Sequence, residues 1–421
     1  MKITYLTWGE TPRSYGVFSS QVLGQFSHTV ACMKTKLDSD AINCEFVAGI
    51  PLIHSGMVRE KFAYPEEINK VTSKLADSDI KFKRLNILSS QNFINSNRHS
   101  FRTFHGVSHS SLSKHFANSR PDIVHCRSYH AAYAALKVRE NLGAHYKIIF
   151  DARGFWPKEV SLKKGWGMDS DNFHFLSKIE AYCLDNSDVV VSVSDTMTDV
   201  FKSKTVTPVE TIYLSADIER FTSIPRAESL HSRSNALTFC YLGALSQGTW
   251  HRPKELSELF ERLKHLYPNS KQMIITTSEQ SEYISYFEGN SDVLLRSAKN
   301  VNELVTLLAE CDIGVMSYFT PDSELEKVLA NSVFAVKTSE YLAAGMPMIV
   351  NKYCGGAVSF LLNHEAGVSY DPSNLESLTL EAVEGLTKLK IGTLRETAAE
   401  YLDYEANAKR YAAIYERLLQ R

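Results

Sequence analysis

Lys337 and Glu340 stand three residues apart in the stretch Lys337-Thr338-Ser339-Glu340-Tyr341-Leu342-Ala343-Ala344-Gly345-Met346-Pro347, which runs into the apolar Met348-Ile349-Val350. On a helix that spacing puts both side chains on one face near the N-terminus. A helix N-terminus offers free backbone N–H groups and the positive end of its dipole, so with a lysine beside it the helix can hold phosphate. A carboxylate one turn further on is placed to accept hydrogen bonds from the vicinal hydroxyls of a sugar. Together the two describe a grip on a nucleoside diphosphate. Taken alone, the same residues would also make an i,i+3 ion pair on a solvated helix. Ala and Leu favour the helix, Gly345 suits the left-handed position past its end, and Pro347 forbids continuation. A short helix between two strands is therefore expected.

Two strand ends in the first half carry a second group of ionisable side chains. Asp122-Ile123-Val124-His125-Cys126-Arg127-Ser128-Tyr129-His130 and Phe150-Asp151-Ala152-Arg153-Gly154-Phe155-Trp156-Pro157-Lys158-Glu159 each pass from an apolar run straight into polar residues. Burying such groups is costly unless they are paired or used. Arg127, Tyr129, Asp151, Arg153 and Glu159 are thus candidates, against the alternative of internal Asp151–Arg153 or Arg127–Glu159 ion pairs that only shape the loops. The loop Thr7 to Gly16, after the first strand, suits either the approach of a diphosphate or acceptor at Gly16 or a plain turn. It holds only Gly9 and Gly16 and is not a G-x-G-x-x-G dinucleotide fingerprint. Asp38/Asp40, Asp77/Asp79 and Asp169/Asp171 form Asp-Ser-Asp triplets. None follows an apolar strand, and a hard cation needs more ligands than one triplet supplies, so no metal is expected.

These groups need two scaffolds. The 421 residues are enough for two domains, and 44% hydrophobic with 22% charged residues is globular composition. A formal net charge of −2 gives no electrostatic footprint for nucleic acid. Seven cysteines without a Cys-x-x-Cys pair point to reduced thiols in a cytoplasm rather than to disulfides or zinc. No run approaches the roughly 20 apolar residues of a spanning helix. Lys163-Lys164-Gly165-Trp166-Gly167-Met168 is a basic, aromatic loop of interfacial character, suited to peripheral contact with a membrane.

Strands are expected at Lys2–Leu6, Asn43–Val47, Ile80–Leu85, Asp122–His125, Lys147–Phe150, Asp188–Val193 and Val209–Tyr213, separated by helical patterns; Gln91 to His115, rich in Ser, Asn and His, is expected to form loops. The polar stretch 222–236 reads as a linker. Alternation restarts at Leu237–Leu242 and continues through Gln272–Thr276, a helix around Glu282–Phe287, Asp292–Leu295, Ile313–Met316, the Lys337 helix, Met348–Val350 and Gly367–Tyr370, with closing helices over Asn374–Leu389 and Leu394–Leu419. The fold class is α/β, with two doubly wound parallel domains over 1–221 and 237–395 and a terminal helix over 396–421.

The stretch 337–347 resembles the Lys-x-x-Glu-Tyr-Leu-Ala-x-Gly-x-Pro segment of GT-B glycosyltransferases, specifically family 4. The two strand ends resemble the His-Cys-Arg-Ser-Tyr and Asp-x-Arg-Gly-Phe-Trp-x-x-Glu segments of a bacterial polysaccharide-assembly branch. The resemblance implies two Rossmann-like domains facing a central cleft, with the C-terminal helix crossing back to the first. It implies that Lys337 meets the donor diphosphate, Glu340 the ribose, and Gly243 the diphosphate at close approach. Ser297 and Lys299 would contact the base, and Gly356 would face the donor sugar or form a simple turn. Arg127 takes the place of a histidine near the anomeric carbon, while His125 and Glu180 read as structural. Lys337, Arg127, Asp151 and Arg153 are the catalytic candidates; Arg127, Tyr129, Arg153 and Glu159 are the acceptor-side ones. Two departures stand out. Ala244 occupies the place of a diphosphate-binding arginine, leaving Arg252 or Lys254 as replacement, and Ser332 occupies the first position of a Glu-x7-Glu pattern that ends at Glu340.

The implied activity is retaining, metal-independent transfer of a sugar from a nucleoside-diphosphate donor, with no other cofactor. The acceptor would be a saccharide or lipid-linked chain of a surface polysaccharide, capsule or lipopolysaccharide, extended on the cytoplasmic side of the inner membrane. A nucleotide-sugar epimerase of the same architecture and a non-catalytic nucleotide-sugar binding protein are the alternatives.

Overall fold

Apolar runs such as Ile148-Ile149-Phe150 and Val189-Val190-Val191 have no polar face, which suits strands covered by helices on both sides. A computed structural model describes residues 1–36, 42–53, 64–89, 98–231, 236–246 and 249–420. The chain divides into two units, one of Met1–Val193, Met197–Ile212 and Tyr404–Arg421, the other of Ser194–Thr196 and Tyr213–Asp403.

The first unit is built on seven parallel strands: β1 (Lys2–Trp8), β2 (Asn43–Ile53), β3 (Lys81–Ser89), β4 (Ile123–Arg127), β5 (Lys147–Asp151), β6 (Val189–Ser192) and β7 (Val209–Thr211). Their order is β3-β2-β1-β4-β5-β6-β7. The winding reverses between β1 and β4, where Ile3 is in register with Ile123 and Leu6 with Cys126. Ligand crevices in such sheets open at that reversal, beyond the C-terminal ends of the strands. The helix Tyr404–Leu419 belongs to this unit: Tyr411, Ala412, Ile414, Tyr415 and Leu418 share a core with Phe26, Val30 and Met33.

The second unit repeats the plan with six parallel strands: β8 (Thr238–Leu242), β9 (Lys271–Ile275), β10 (Val293–Arg296), β11 (Ile313–Met316), β12 (Met348–Asn351) and β13 (Gly367–Tyr370). Their order, β10-β9-β8-β11-β12-β13, reverses between β8 and β11. Phe239, Tyr241, Ile274, Ile313, Val315 and Ile349 form its core with Leu259, Phe260 and Leu263 of the helix Pro253–Leu266.

Several expectations are corrected. Gln91 to His115 is not all loop, because Arg98–Ser119 is a helix; residues 91–97 lie outside the described set. Its buried side is Phe101, Phe104, His105, Ser108, His109, Leu112 and Phe116, a helical stripe disguised by polar residue types. The helix around Glu282–Phe287 is two 3₁₀ turns, Gln280–Glu282 and Ile284–Tyr286. Lys163 and Lys164 end a helix, Trp156–Lys164, rather than lying in a loop. The closing segment is three helices, Leu380–Thr387, Ile391–Tyr401 and Tyr404–Leu419. The break after Tyr401 coincides with a hydrogen bond from Ala216 N to Leu402 O (2.9 Å) and a bridge between Ala216 and Asp403. Only the last of these helices belongs to the first unit, so a terminal helix beginning at 396 is too long. Of the expected linker 222–236, residues 232–235 lie outside the described set. Arg226 is anchored in the second unit, donating to Ala344 O (3.1 Å) and Leu308 O (2.8 Å).

Candidate functional site

In the second unit the helix Val336–Ala343 starts without a side-chain cap, because Ala335 holds the N-cap position. It ends in a Schellman turn: Gly345 N donates to Leu342 O (2.9 Å) and Met346 N to Tyr341 O (2.9 Å), with Gly345 at φ +74°. A Cβ on Gly345 would lie 2.5 Å from Ile391 Cγ2, so the turn is crowded as well as left-handed.

Lys337 leaves this helix toward the end of β8. Its Nζ lies 4.4 Å from the centroid of the Tyr241 ring, an ammonium–π contact. It also fills the space beside Gly243, where a Cβ would meet Nζ at 2.8 Å. Any side chain at 243 would displace the lysine; the φ of +126° there disfavours one as well. Among the described residues Lys337 and Glu340 make no ion pair with each other, and both are half-buried. Burial pushes Lys337 down to about 7, against the weaker pull of Cys354, Glu340 and Cys240. Burial likewise pushes Glu340 up to about 7, with Lys337 opposing. The nearby Cys354 thiol is itself raised to about 12 by burial.

His251 and Arg252 flank this group. The His251 ring packs edge-on to Tyr241 (5.2 Å) and Tyr318 (4.8 Å), and Nδ1 lies 3.2 Å from Ser317 O. Burial first, and the Lys337 charge second, hold this imidazole neutral. Arg252 stacks its guanidinium 4.2 Å above Phe319, and its buried Nε has no partner among the described residues. Lys254 pairs with Glu258 at 3.8 Å and is largely exposed, leaving Arg252 as the cation next to the cluster. Ser297 and Lys299 are exposed in the loop after the edge strand β10, and no described contact brings them to Lys337. Gly356 is buried, with room only for hydrogen: a Cβ there would lie 2.9 Å from Val333 O and 3.0 Å from Ser194 Cβ. Ser332 is buried and its hydroxyl returns to Leu329 O (2.9 Å).

In the first unit Arg127, Asp151 and Arg153 are paired, while burial pushes the Glu159 carboxyl up to about 7. Arg127, last in β4, places Nη1 2.9 and 3.1 Å from the two Glu10 oxygens, across the reversal between β1 and β4. Glu10, not Glu159, is its partner. Asp151 is fully buried at the end of β5, with Oδ2 accepting from Arg153 Nη2 (2.6 Å) and lying 3.3 Å from His125 Nε2. Burial would raise this carboxyl, but Arg153, His125 and Arg127 outweigh it and keep it below the ordinary range. Tyr129 is buried, its hydroxyl 2.9 Å from both Gly154 O and Glu180 Oε2. Glu180 also pairs with Lys204. Tyr129, Arg153 and Glu159 line one cavity of about 240 Å³ together with Trp156 and Lys163. Glu159 folds back on Gly154, where a Cβ would strike Oε1. Gly16 is exposed at φ +62° at the start of the turn Gly16–Phe18, with open space where a side chain would be.

Of the Asp-Ser-Asp triplets, Asp38 and Asp40 lie outside the described residues, and Asp79 pairs with Lys34 at 2.5 Å. Among the described residues no group of three or more His, Cys, Asp or Glu is arranged to hold a metal ion, and no helix is long and apolar enough to cross a membrane.

Residues 80–220 match the model of Glycosyltransferase Family 4. The matched segment holds β4, β5, Arg127, Asp151 and Arg153, and stops short of the Lys337 helix. Solved structures extend the likeness to the whole chain. A lipopolysaccharide outer core galactosyltransferase, WaaB, is similar at TM-score 0.66 and 14% identity, over 99% of this chain and 100% of that one. Sucrose-phosphate synthase from Thermosynechococcus elongatus is similar at TM-score 0.64 and 13% identity, over 100% and 99%. Anabaena HepE in complex with UDP is similar at TM-score 0.63 and 12% identity, over 99% and 100%. No curated protein sequence matches the chain. The chain has the two-domain GT-B fold of these structures, and its residues 80–220 carry the Glycosyltransferase Family 4 match.

The chain holds contacts that its sequence did not announce. Glu10, Arg127's partner, sits 117 residues away, and its only signal was an acid in the glycine-containing loop after β1. Tyr241 is the platform for Lys337, and its place two residues before Gly243 was the available clue. Phe319, under Arg252, follows β11 and had no motif to mark it.

Proposed function

We propose that this chain moves a sugar from a nucleoside-diphosphate donor to a saccharide or lipid-linked acceptor during assembly of a surface polysaccharide, at the cytoplasmic face of a membrane. The observation that carries the reading is Lys337: a half-buried lysine at an uncapped helix N-terminus, against a glycine, with no carboxylate paired to it among the described residues. Such a site lacks one thing, an anion, and a diphosphate supplies it. Glu340, one turn on, would take the ribose hydroxyls. HepE was solved with UDP and with UDP-glucose, which favours a donor of that class here.

Departure of the diphosphate builds negative charge on its terminal phosphate. Lys337, the helix N-terminus and Arg252 would stabilise that charge. We read the reaction as retaining and metal-independent: the acceptor hydroxyl attacks from the face the phosphate leaves, and the departing phosphate oxygen takes its proton. The cavity at Tyr129, Arg153 and Glu159 supports an acceptor position in the first unit. The basic, aromatic segment from Lys163 to Met168 adjoins it and fits peripheral contact when the acceptor is lipid-linked. A thermal-shift screen over UDP, GDP and their sugars, followed by product analysis, tests the proposal. Slow release of free sugar from one donor supports transfer. A new epimer would make the chain an isomerase, and binding without turnover a sensor.

A further inference from the structure

Three groups lie in line behind the acceptor-side cavity, each from a different element of the first unit. Tyr415, on the C-terminal helix, places its hydroxyl 2.6 Å from His125 Nδ1. His125, in β4, places Nε2 3.3 Å from Asp151 Oδ2 in β5, and the same oxygen accepts from Arg153 Nη2 at 2.6 Å. Arg153 lines the cavity. All of His125, Asp151 and Tyr415 are essentially inaccessible to water.

The chemistry fixes the direction of the chain. An ionised carboxylate only accepts, so the His125 proton sits on Nε2, and Nδ1 must then accept from the Tyr415 O–H. The groups facing the imidazole agree with a neutral ring. Tyr5 from β1 (4.5 Å) and Tyr411 (5.1 Å) cover its faces, and Asp151 is already matched by Arg153. Burial, outweighing Asp151, lowers the His125 pKa. Asp151 Oδ1 is buried without a partner among the described residues, so the carboxylate depends on what reaches Oδ2. Without the His125 donor it would keep one contact, the Arg153 guanidinium, and nothing else among the described residues would fix the orientation of the carboxylate that holds this arginine.

We infer that His125 and Tyr415 are positioning residues: they hold Asp151, and through it the Arg153 guanidinium, in the cavity wall, which makes the C-terminal helix part of the acceptor side. The inference rests on the transferase reading for its purpose but not for its test. In ¹⁵N-histidine spectra of the full chain at pH 7, His125 should appear as the neutral Nε2–H tautomer and should change its tautomer balance in Tyr415→Phe. An Nδ1–H tautomer or an imidazolium in the wild type overturns the relay. The second readout is the rate at which phenylglyoxal modifies Arg153, followed by peptide mass analysis. His125→Leu, which can neither donate nor accept, should speed modification at least threefold. His125→Gln, which can accept from Tyr415 and donate to Asp151, should return it to near the wild-type rate. Equal rates in Leu and Gln variants contradict the proposal. Neither readout needs turnover, so an inactive wild type would sink the transferase reading while leaving the relay to stand or fall by these two.

Discussion

The two units share a winding order and place ionisable residues beyond the same strand reversal, yet they treat charge in opposite ways. In the first, Arg127 is matched by Glu10 and Arg153 by Asp151, and of its candidate carboxylates only Glu159 is left to be raised, to about 7, by burial. In the second, Lys337 and Glu340 sit a turn apart without pairing, and burial drives both toward neutrality near pH 7. A wall of matched charges is complete without a ligand and can present a fixed shape to a neutral sugar. Unmatched buried charges carry a desolvation cost that only a complementary ligand relieves. The contrast therefore separates a surface built to position from a site built to be completed.

Replacing Lys337 by Ala should break the contrast most severely. With the ammonium gone, transfer should fall by a factor on the order of 10² to 10³ in kcat, the usual loss when one donor to a developing oxyanion is removed. Steady-state kinetics check it. Retention of wild-type kcat would mean that the leaving group is stabilised elsewhere.

Acid should act mainly on the first unit. His105, His109 and His130 form a hydrogen-bonded row, with His105 Nδ1 2.9 Å from His109 and Nε2 3.1 Å from His130. Burial holds His109 at about 4 and His130 at about 3, and His105 well below its ordinary 6.5. These folded values lie below the unfolded one, so the stability they lend is complete above about pH 6.5 and is lost as pH falls toward 4. By pH 5 the His109 and His130 imidazoles should each have lost about 2 kcal/mol of that contribution. Calorimetry at pH 7 and 5 should show a larger fall in Tm for the first unit's transition, and equal shifts would contradict this.

Glu340→Gln keeps the shape of the site and removes its charge. Donor KM should rise about tenfold, with kcat nearly unchanged, since a ribose contact is the same in ground and transition states. Arg252→Ala should have the smallest effect, a fall of about threefold in kcat, because the guanidinium is half-buried on Phe319 and not in the Lys337 cluster itself. A larger loss there than at Glu340 would move the diphosphate toward Arg252.

What could be read from the sequence was local. Lys337, Glu340, Gly345 and Pro347 lie within one helix and its cap, where spacing and backbone preference act over a few residues. The alternating strands were legible because parallel strands buried on both faces read as continuous apolar runs. The helix Arg98–Ser119 was hidden because His105, Ser108 and His109 fill buried positions that pattern-reading assigns to apolar residues. The partners were hidden too: Arg127 finds Glu10 at a separation of 117 residues, and His125 finds Tyr415 at 290. No spacing rule reaches that far, so candidate groups could be named while their states, matched or unmatched, could not.

Calorimetric titration of UDP at pH 7.5 in two buffers of different ionisation enthalpy tests the Lys337 assignment most directly. With Lys337 near 7, most of it is neutral in the empty site and must take up a proton to face a diphosphate. The account predicts net proton uptake that is retained in Glu340→Gln and abolished, with most of the affinity, in Lys337→Met. Equal affinity and equal proton count in wild type and Lys337→Met would contradict it.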